Sequence, residues 1–231
     1  MSIVNHTGHR RRVGVVAATW SLSRYYSADL LRSQRFLLPF LLYGMLLAPL
    51  FGGDPGPPPA TWAASVLALY PVSVWLAVTV ANTEDPTQRQ VTIAAAGGRG
   101  RVTAGILLTC LLADLVLVAF ALLWPVLATA YDYPPHLLAA GALAHLAAGA
   151  TGTAVGLLCA RPVVRGIGWS AVLGAAVVAA TGFQRWLPPV GEAARTLVDT
   201  PVSLSTLTFD AALALALAAL AGVLVSRVRA T

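Results

Sequence analysis

Six long apolar segments run through the sequence, and they restrict its possible folds more than any other feature. Each approaches the ~20 residues that an α-helix needs to cross a bilayer. The segments are residues 36–51, 60–81, 102–130, 136–160, 163–183 and 207–226. Only 10% of the residues are charged, whereas a soluble domain carries roughly 25%. The sequence therefore predicts an all-α, polytopic membrane protein with six transmembrane helices.

The arginines predict how these helices are oriented. All 15 basic residues are arginine. Only Arg185 and Arg195 fall on one side of the predicted membrane, and the other arginines fall on the opposite side. The positive-inside rule makes that second side cytoplasmic, so we expect both termini in the cytoplasm and the chain in the plasma membrane. We do not expect nucleic acid as a partner, because the arginines form no basic stripe on a soluble fold.

The chain divides into an N-terminal region, residues 1–35, and a transmembrane domain, residues 36–231. Residues 15–35 have helical periodicity, with Leu22, Tyr26 and Leu30 on one stripe. Trp20 and Tyr25 are typical of the headgroup layer. The pattern predicts an amphipathic helix lying on the inner leaflet. A disordered basic arm is the alternative, and it fits residues 1–12 best.

Two connecting segments are longer than a simple link requires. The loop at 82–101 opens with Asp85 and Pro86, a capping residue and a proline at the first helical position. Gly97 supplies the stop, which predicts a cytoplasmic helix of about ten residues. The last external loop, 184–206, predicts a short helix within 191–198 that re-enters or caps the outer leaflet, with an ordinary loop as the alternative.

Asp114 and His145 are the ionisable side chains predicted to lie deep inside the spans. Counted from the cytoplasmic face, they lie ~18 Å and ~22 Å up at about 1.5 Å per residue. Buried ionisable groups in membranes often pair with each other. The matching depths predict a polar pair between the third and fourth spans. Such a pair would either line a substrate path or only hold two helices together.

The sequence lacks the residues that several classes of enzyme and binding site require. The chain has no lysine, so it cannot form the phosphate-binding loop that requires one. An intramembrane serine protease needs a serine on a glycine-framed turn at the depth of its histidine. The nearest candidate, Ser170, lacks the second glycine and lies ~10 Å from the face, well below His145. No metal-binding spacing is present, and we predict neither a catalytic residue nor a metal site.

The order of parts resembles the membrane subunit of an ABC-2-type ABC transporter, a type V exporter permease. In that family the loop after the second span reads roughly Glu-x-x-x-Gly-Thr-Leu-Glu, then apolar residues, then Pro-x-Ser-Arg. Here the acid Glu84, the apolar turn around Val91 and Ile93, and the closing Arg101 correspond, whereas the Gly-Thr pair and the proline are missing.

The resemblance implies a coupling helix at about 84–97 that docks on a separate ATPase. The residues expected to make that contact are Glu84, Asp85, Arg89, Val91 and Ile93. It also implies that 184–206 is an external re-entrant segment.

The function implied is ATP-driven export of a small molecule, peptide or lipid-linked substrate. The partner ATPase would bind ATP and Mg, so this chain would hold no cofactor and would not itself be an enzyme. A second copy or a paralogous permease would complete the pathway. The alternatives are an intramembrane serine-protease-like hydrolase and a membrane accessory subunit that does not transport.

Overall fold

The computed structural model describes residues 6–164, 166–182, 184 and 186–228. Within these ranges the chain forms nine helices and no β-strand. The helices are α1 (His6–Arg32), α2 (Leu37–Phe51), α3 (Trp62–Ala81), α4 (Pro86–Ala96), α5 (Arg99–Ala128), α6 (Pro135–Cys159), α7 (Ile167–Gly182), α8 (Val190–Thr196) and α9 (Leu204–Arg227). Each of the six predicted apolar segments therefore contains a helix, and the all-α prediction is confirmed for the residues that the structure describes.

By length and composition, four or five of the described helices qualify as membrane spans. Four of them, α3, α5, α6 and α9, are long and apolar enough. A fifth span is possible only if two helical segments count as one, Val16–Arg32 and Leu37–Phe51. Together they are long and apolar enough to cross a membrane, but their axes meet at 72°. The apolar helix Gly168–Gly182 is shorter. Six spans are not confirmed, because α2 and α7 have only 15 and 16 residues.

Helix α6 lies at the centre of the bundle, packed against α3, α5 and α9. Its glycines allow the α3 backbone to approach closely. A methyl group at Gly152 would lie 2.6 Å from Cβ of Ser73, and one at Gly156 would lie 2.6 Å from the Val74 carbonyl oxygen. Small residues at such crossings permit tight helix packing. The small-residue face of α6 is therefore used within the chain.

Helix α1 packs against α5 through the stripe seen in the sequence. Tyr26 and Leu30 are buried. Leu22 packs directly against Gly105 of α5, where an added methyl group would lie only 2.6 Å from the Leu22 Cβ. The hydroxyl oxygen of Thr109 lies 3.2 Å from both the carbonyl oxygen and the hydroxyl oxygen of Ser23. The helix begins at His6, earlier than the predicted residue 15. Its buried stripe is therefore covered by protein.

The connections fall at two ends of the bundle. At one end lie α4, the α6–α7 connection and the C-terminal end of α9. The amide of Arg161 there donates to Oδ1 of Asn82, and Arg99 donates to the Val228 carbonyl oxygen at 3.5 Å. At the other end Tyr131 donates to Asp54 at 2.5 Å, joining the loops that follow α5 and α2. Helix α8 also covers this second end, where it packs against α3, α6 and α9.

Candidate functional site

Helix α4 forms because its sequence supplies a start and a stop. Asp85 is extended, and its carboxylate accepts hydrogen bonds from the amides of Thr87 and Gln88 at 2.7 and 2.8 Å. Pro86 takes the first helical position, where no amide donor is needed. Gly97 ends the helix with φ of 74°, a conformation that glycine adopts without strain. These groups satisfy both ends of the helix, so α4 is well defined despite having only 11 residues.

Glu84 anchors α4 to the rest of the molecule. Its carboxylate is buried and accepts from the Tyr26 hydroxyl at 3.0 Å and from the Thr92 hydroxyl at 2.6 Å. One side chain thereby joins α1, the segment after α3, and α4. Both oxygens are occupied inside the molecule, so Glu84 holds the helix in place and does not project from it.

Arg89 also turns inward. Its guanidinium donates to the carbonyl oxygen of Ala81 at 2.8 Å, in the last turn of α3, where the backbone oxygens lack helical partners. Burial lowers the pKa of the Arg89 guanidinium, and the neighbouring Tyr26 and Glu84 oppose that shift. Arg89 therefore caps α3 and fixes the angle between α3 and α4.

The outer surface of α4 is formed by other residues. None of its residues is buried, and the Val91 side chain is 65% exposed. Asp85 is exposed as well, while Ile93 is half-buried and packs against the core. The five predicted docking residues thus divide into two groups. Glu84, Arg89 and Ile93 position the helix, and Asp85 and Val91 lie on its surface.

Asp114 lies on α5 at the crossing with α6 and is fully buried. Its Oδ2 accepts from the Thr153 hydroxyl at 2.7 Å. A methyl group at Gly149 would lie 3.2 Å from its Cβ and Cγ. Among the residues that the structure describes, Oδ1 of Asp114 and the hydroxyl of Ser73 make no hydrogen bond of standard geometry, although these two side chains lie close enough to interact. Asp114 therefore joins α5 to α6 through the hydroxyl of Thr153.

His145 has a different set of partners. Its Nδ1 lies 2.7 Å from the carbonyl oxygen of Gly141, and its Nε2 lies 2.9 Å from the hydroxyl oxygen of Ser65 on α3. A carbonyl can only accept, so Nδ1 carries a proton. In the neutral imidazole Nε2 is then an acceptor that faces the Ser65 hydroxyl, and the single proton of that hydroxyl is shared with the Trp62 carbonyl oxygen, which also lies at 2.9 Å. His145 therefore joins α6 to α3.

The structure does not join Asp114 to His145 directly. In the described part of the chain no hydrogen bond connects them, and each has a hydroxyl partner of its own. The sequence argument compared only depth, whereas two side chains on neighbouring helices must also point toward each other. The alternative nucleophile Ser170 donates to the Gly166 carbonyl oxygen at 3.2 Å. The serine that contacts His145 is Ser65.

Asp210 is a buried acid that the sequence analysis did not select. It lies in the second turn of α9 with no exposed surface, and neither carboxylate oxygen has a partner among the described residues. The predicted sixth segment began at residue 207, so Asp210 stood at its edge and was not counted as membrane-embedded. The hydropathy signal alone does not separate such a residue from a loop residue.

A large concavity lies between α3 and α7 and has a volume of about 890 Å³. Its walls are apolar side chains of the two helices, including Val74, Val78 and Val178. Polar residues close it at the α4 end, among them Arg35 and Arg161. The sequence analysis did not predict this cavity, because it depends on how far α7 stands from α3.

Other chemistry is sparse in the described residues. They contain no group of three or more His, Cys, Asp or Glu side chains that could hold a metal ion. No family model matches the chain, and no curated protein or solved structure is significantly similar to it.

Proposed function

We propose that this chain is the membrane-spanning permease subunit of an ATP-driven exporter of the ABC-2 type. The observation that carries the proposal is the construction of α4. It is capped at both ends, anchored inward by Glu84 and Arg89, and exposes Val91. A helix held rigidly at one end of a bundle, with an apolar side chain facing outward, has the form expected of a docking element.

The need for an energy source supports a separate ATPase as the partner of this chain. A chain without lysine lacks the side chain that reaches nucleotide phosphates in such ATPases. An exporter of this kind must therefore receive its driving force from a separate ATPase, which would bind ATP and Mg. Movement delivered to α4 would pass to α3 and α1 through the hydrogen bonds of Arg89 and Glu84.

The distribution of arginines supports a cytoplasmic location for the α4 end. Arg89, Arg99, Arg101, Arg161 and Arg227 lie in or beside the connections at that end. By the positive-inside rule this end faces the cytoplasm, and both termini lie there. In this arrangement α1 lies along the inner leaflet and α8 covers the external end. Labelling of single cysteines tests the topology, because positions 56 and 132 should react from outside the cell and position 90 should not.

The proposed transmembrane domain has six spans, with α2 and α7 added to the four long helices. At 15 and 16 residues these two helices reach only ~22 and ~24 Å, against a hydrocarbon core of ~30 Å. Short spans are accommodated by local thinning of the bilayer. Both carry exposed apolar side chains, with Met45 on α2 at 72% and Trp169 on α7 at 67%. These faces would contact lipid or a second permease copy.

Co-purification tests the partner. The chain should be isolated from its native membranes together with a cytosolic ATPase that carries a phosphate-binding loop. Val91→Asp should reduce the bound ATPase about tenfold or more, since it puts a charge into an apolar contact, while Val91→Leu should retain it. Isolation of a stable, folded chain that never carries an ATPase would instead favour an accessory subunit without transport.

A hydrolase is the second candidate, and the Ser65–His145 contact is the observation that favours it. A nucleophile bonded to a base that is itself oriented by a third group is the arrangement of serine hydrolases. Here both side chains have no exposed surface, so neither a substrate carbonyl nor water reaches the hydroxyl. A fluorophosphonate probe therefore should not label Ser65. Labelling that is lost in Ser65→Ala would favour the hydrolase.

A further inference from the structure

The cavity between α3 and α7 has a neighbour farther along the same two helices. The α4-side cavity, of about 890 Å³, is lined by residues within 71–79 of α3 and 170–179 of α7. The α8-side cavity, of about 540 Å³, is lined by residues within 63–67 of α3, by Gly182 of α7 and by residues within 191–199. Among the described residues, none lines both cavities. The two therefore follow each other along one helix pair.

Tyr70 separates the two cavities. On α3 it stands between Leu67, which lines the α8-side cavity, and Pro71, which lines the α4-side cavity. Its side chain is 1% exposed, and its hydroxyl oxygen lies 2.9 Å from that of Thr181 on α7. Its ring lies beside Gly182, where an added methyl group would lie 3.5 Å from Cδ1 of the ring. One aromatic side chain therefore spans the gap between the helices where the cavities would otherwise meet.

The barrier is closed by this one side chain and one hydrogen bond. Thr181 donates its single hydroxyl proton to the Val177 carbonyl oxygen at 2.7 Å. The Tyr70 hydroxyl is therefore the donor in its contact with Thr181. Leu67 and Pro71 are four residues apart, so the cavities are separated by about 6 Å along α3 at 1.5 Å per residue. Rotation of the Tyr70 side chain is the smallest movement that can join them.

Helix α3 has a weak point beside Tyr70. Pro71 lies inside the helix and has no amide hydrogen. The carbonyl oxygen of Leu67 therefore lacks the hydrogen bond that it would otherwise accept from residue 71. Sharp bends in helices occur at such prolines. The helix is thus able to bend next to the residue that closes the gap.

The walls of both cavities indicate what kind of molecule they suit. In the α4-side cavity they are mainly apolar, with Val74, Val78 and Val178 among them. In the α8-side cavity Arg195 and Asp199 pair with each other at 3.4 Å, and the other lining residues are aliphatic, tryptophan or glycine. Ligand cavities typically measure about 300–1,000 Å³, and both volumes fall in that range. A small, mainly apolar molecule therefore fits these walls better than an ion or a sugar.

We infer that the two cavities are the halves of one path between α3 and α7 for a small, mainly apolar molecule, and that Tyr70 is the gate between them. The structure has the gate closed. This inference rests on the proposed exporter function for its consequence, that the molecule is the substrate carried and that the partner ATPase drives the opening. The path and its gate are properties of this chain alone.

Cysteine labelling in native membranes washed free of ATP tests the path from both sides. The native cysteines, Cys110 and Cys159, are first replaced by alanine. Single cysteines are then introduced by Ala175→Cys in the α4-side cavity and Leu67→Cys in the α8-side cavity. The reagent is sulfonatoethyl methanethiosulfonate, a small anion that does not cross lipid. We expect it to reach position 175 only from the α4 side and position 67 only from the α8 side.

Two controls define the sides and the cavity. Sealed vesicles of both orientations are used, and cysteines at positions 56 and 90 report which side faces the reagent. Ala176→Cys places a thiol at an exposed position next to Ala175 that does not line the cavity. This thiol faces lipid and should react at least about tenfold more slowly than the one at position 175.

Variants of Tyr70 test the gate. Tyr70→Ala removes the ring and the hydroxyl, so labelling of position 175 from the α8 side should become at least about tenfold faster. Tyr70→Phe keeps the ring and loses only the hydrogen bond, so an increase of about 2–10-fold is expected. Tyr43→Ala is the matched control, because Tyr43 is an equally buried tyrosine that donates to the Ser65 carbonyl oxygen, between α2 and α3. It should leave labelling unchanged.

An added occupant tests the class of molecule. Nile red is uncharged and mainly apolar, and at saturation it should slow labelling of position 175 about tenfold. Glucose at the same concentration should not slow it, and neither compound should affect labelling of position 90. Equal effects of Nile red and glucose on position 175 would overturn the assignment of an apolar ligand.

Three results would overturn the path itself. They are an unreactive position 175 on the α4 side, equal labelling of positions 175 and 176, and labelling of position 175 from both sides with Tyr70 intact. Equal effects of Tyr70→Ala and Tyr43→Ala in folded proteins would overturn the gate, and Tyr70→Phe decides this alone if the alanine variant does not fold. An ATPase complex without this path would end the inference and leave the proposed function standing. A gated path in a chain that never carries an ATPase would do the opposite.

Discussion

The Tyr26 hydroxyl lies 3.0 Å from Oε2 of Glu84, across 58 residues of sequence. Because Thr92 donates to the other carboxylate oxygen, one buried acid connects α1 and α4 at the same point. A movement of α4 cannot leave α1 unchanged without breaking this contact. The connection gives α1, which has no direct place in a transport path, a mechanical role in the proposed exporter.

Replacing Tyr26 with phenylalanine should destabilise the chain. The hydrogen bond lost is to a buried charged group, so we expect a cost of about 1.5–3 kcal/mol in the free energy of unfolding. Tyr25→Phe is the matched control, because the Tyr25 hydroxyl, which accepts from Gln88 and also lies near Glu84, is solvent-exposed, so water replaces a lost partner. It should change stability by less than about 0.5 kcal/mol. Unfolding in mixed micelles measures both, and equal effects would contradict the role given to Glu84.

Replacing Asp85 with alanine should loosen α4 without disturbing the bundle. Loss of a helix cap costs about 1 kcal/mol. The amides of Thr87 and Gln88 donate to Asp85, so their hydrogen exchange should become faster in this variant. Exchange within α6 should stay slow. Asp85→Asn retains an accepting oxygen and should restore protection. Unchanged exchange in the alanine variant would show that α4 does not depend on this cap.

Double-mutant cycles should separate the two polar contacts inside the bundle. Asp114→Ala combined with Thr153→Val should show a coupling of about 0.5–1.7 kcal/mol, since these side chains share a hydrogen bond. Asp114→Ala combined with His145→Ala should be additive within about 0.5 kcal/mol, because the two have separate partners. A large coupling between Asp114 and His145 would restore the direct pair predicted from their depth.

The positions of the helices could be predicted from the sequence because hydropathy and capping are local signals. The segment predicted at 60–81 is observed as Trp62–Ala81, and the helix predicted after Asp85 is observed as Pro86–Ala96. Local signals do not measure how much of an apolar run is helical. The predicted run 163–183 therefore counted as a full span, although its helix covers only Ile167–Gly182.

The contacts of the candidate site were less predictable, because they depend on helix rotation and spacing. Glu84 and Arg89 were predicted to contact a partner from the surface of the cytoplasmic helix, and both point inward. The hydroxyl partners of Asp114 and His145 carry no distinctive sequence signal among many serines and threonines. Val91 was selected from the resemblance alone, and its exposure became visible only when α4 was placed against the bundle, where it packs on α5.

The most direct test of the account is to identify what touches Val91 in native membranes. A photocrosslinking amino acid at position 91 should give an adduct whose partner, identified by mass spectrometry, contains an ATPase phosphate-binding loop. The same amino acid at Leu127, which is 83% exposed at the far end of α5, should give no such adduct. If the folded chain instead yields only lipid, self or non-ATPase adducts at position 91, α4 is not a coupling helix and the chain is not the permease proposed.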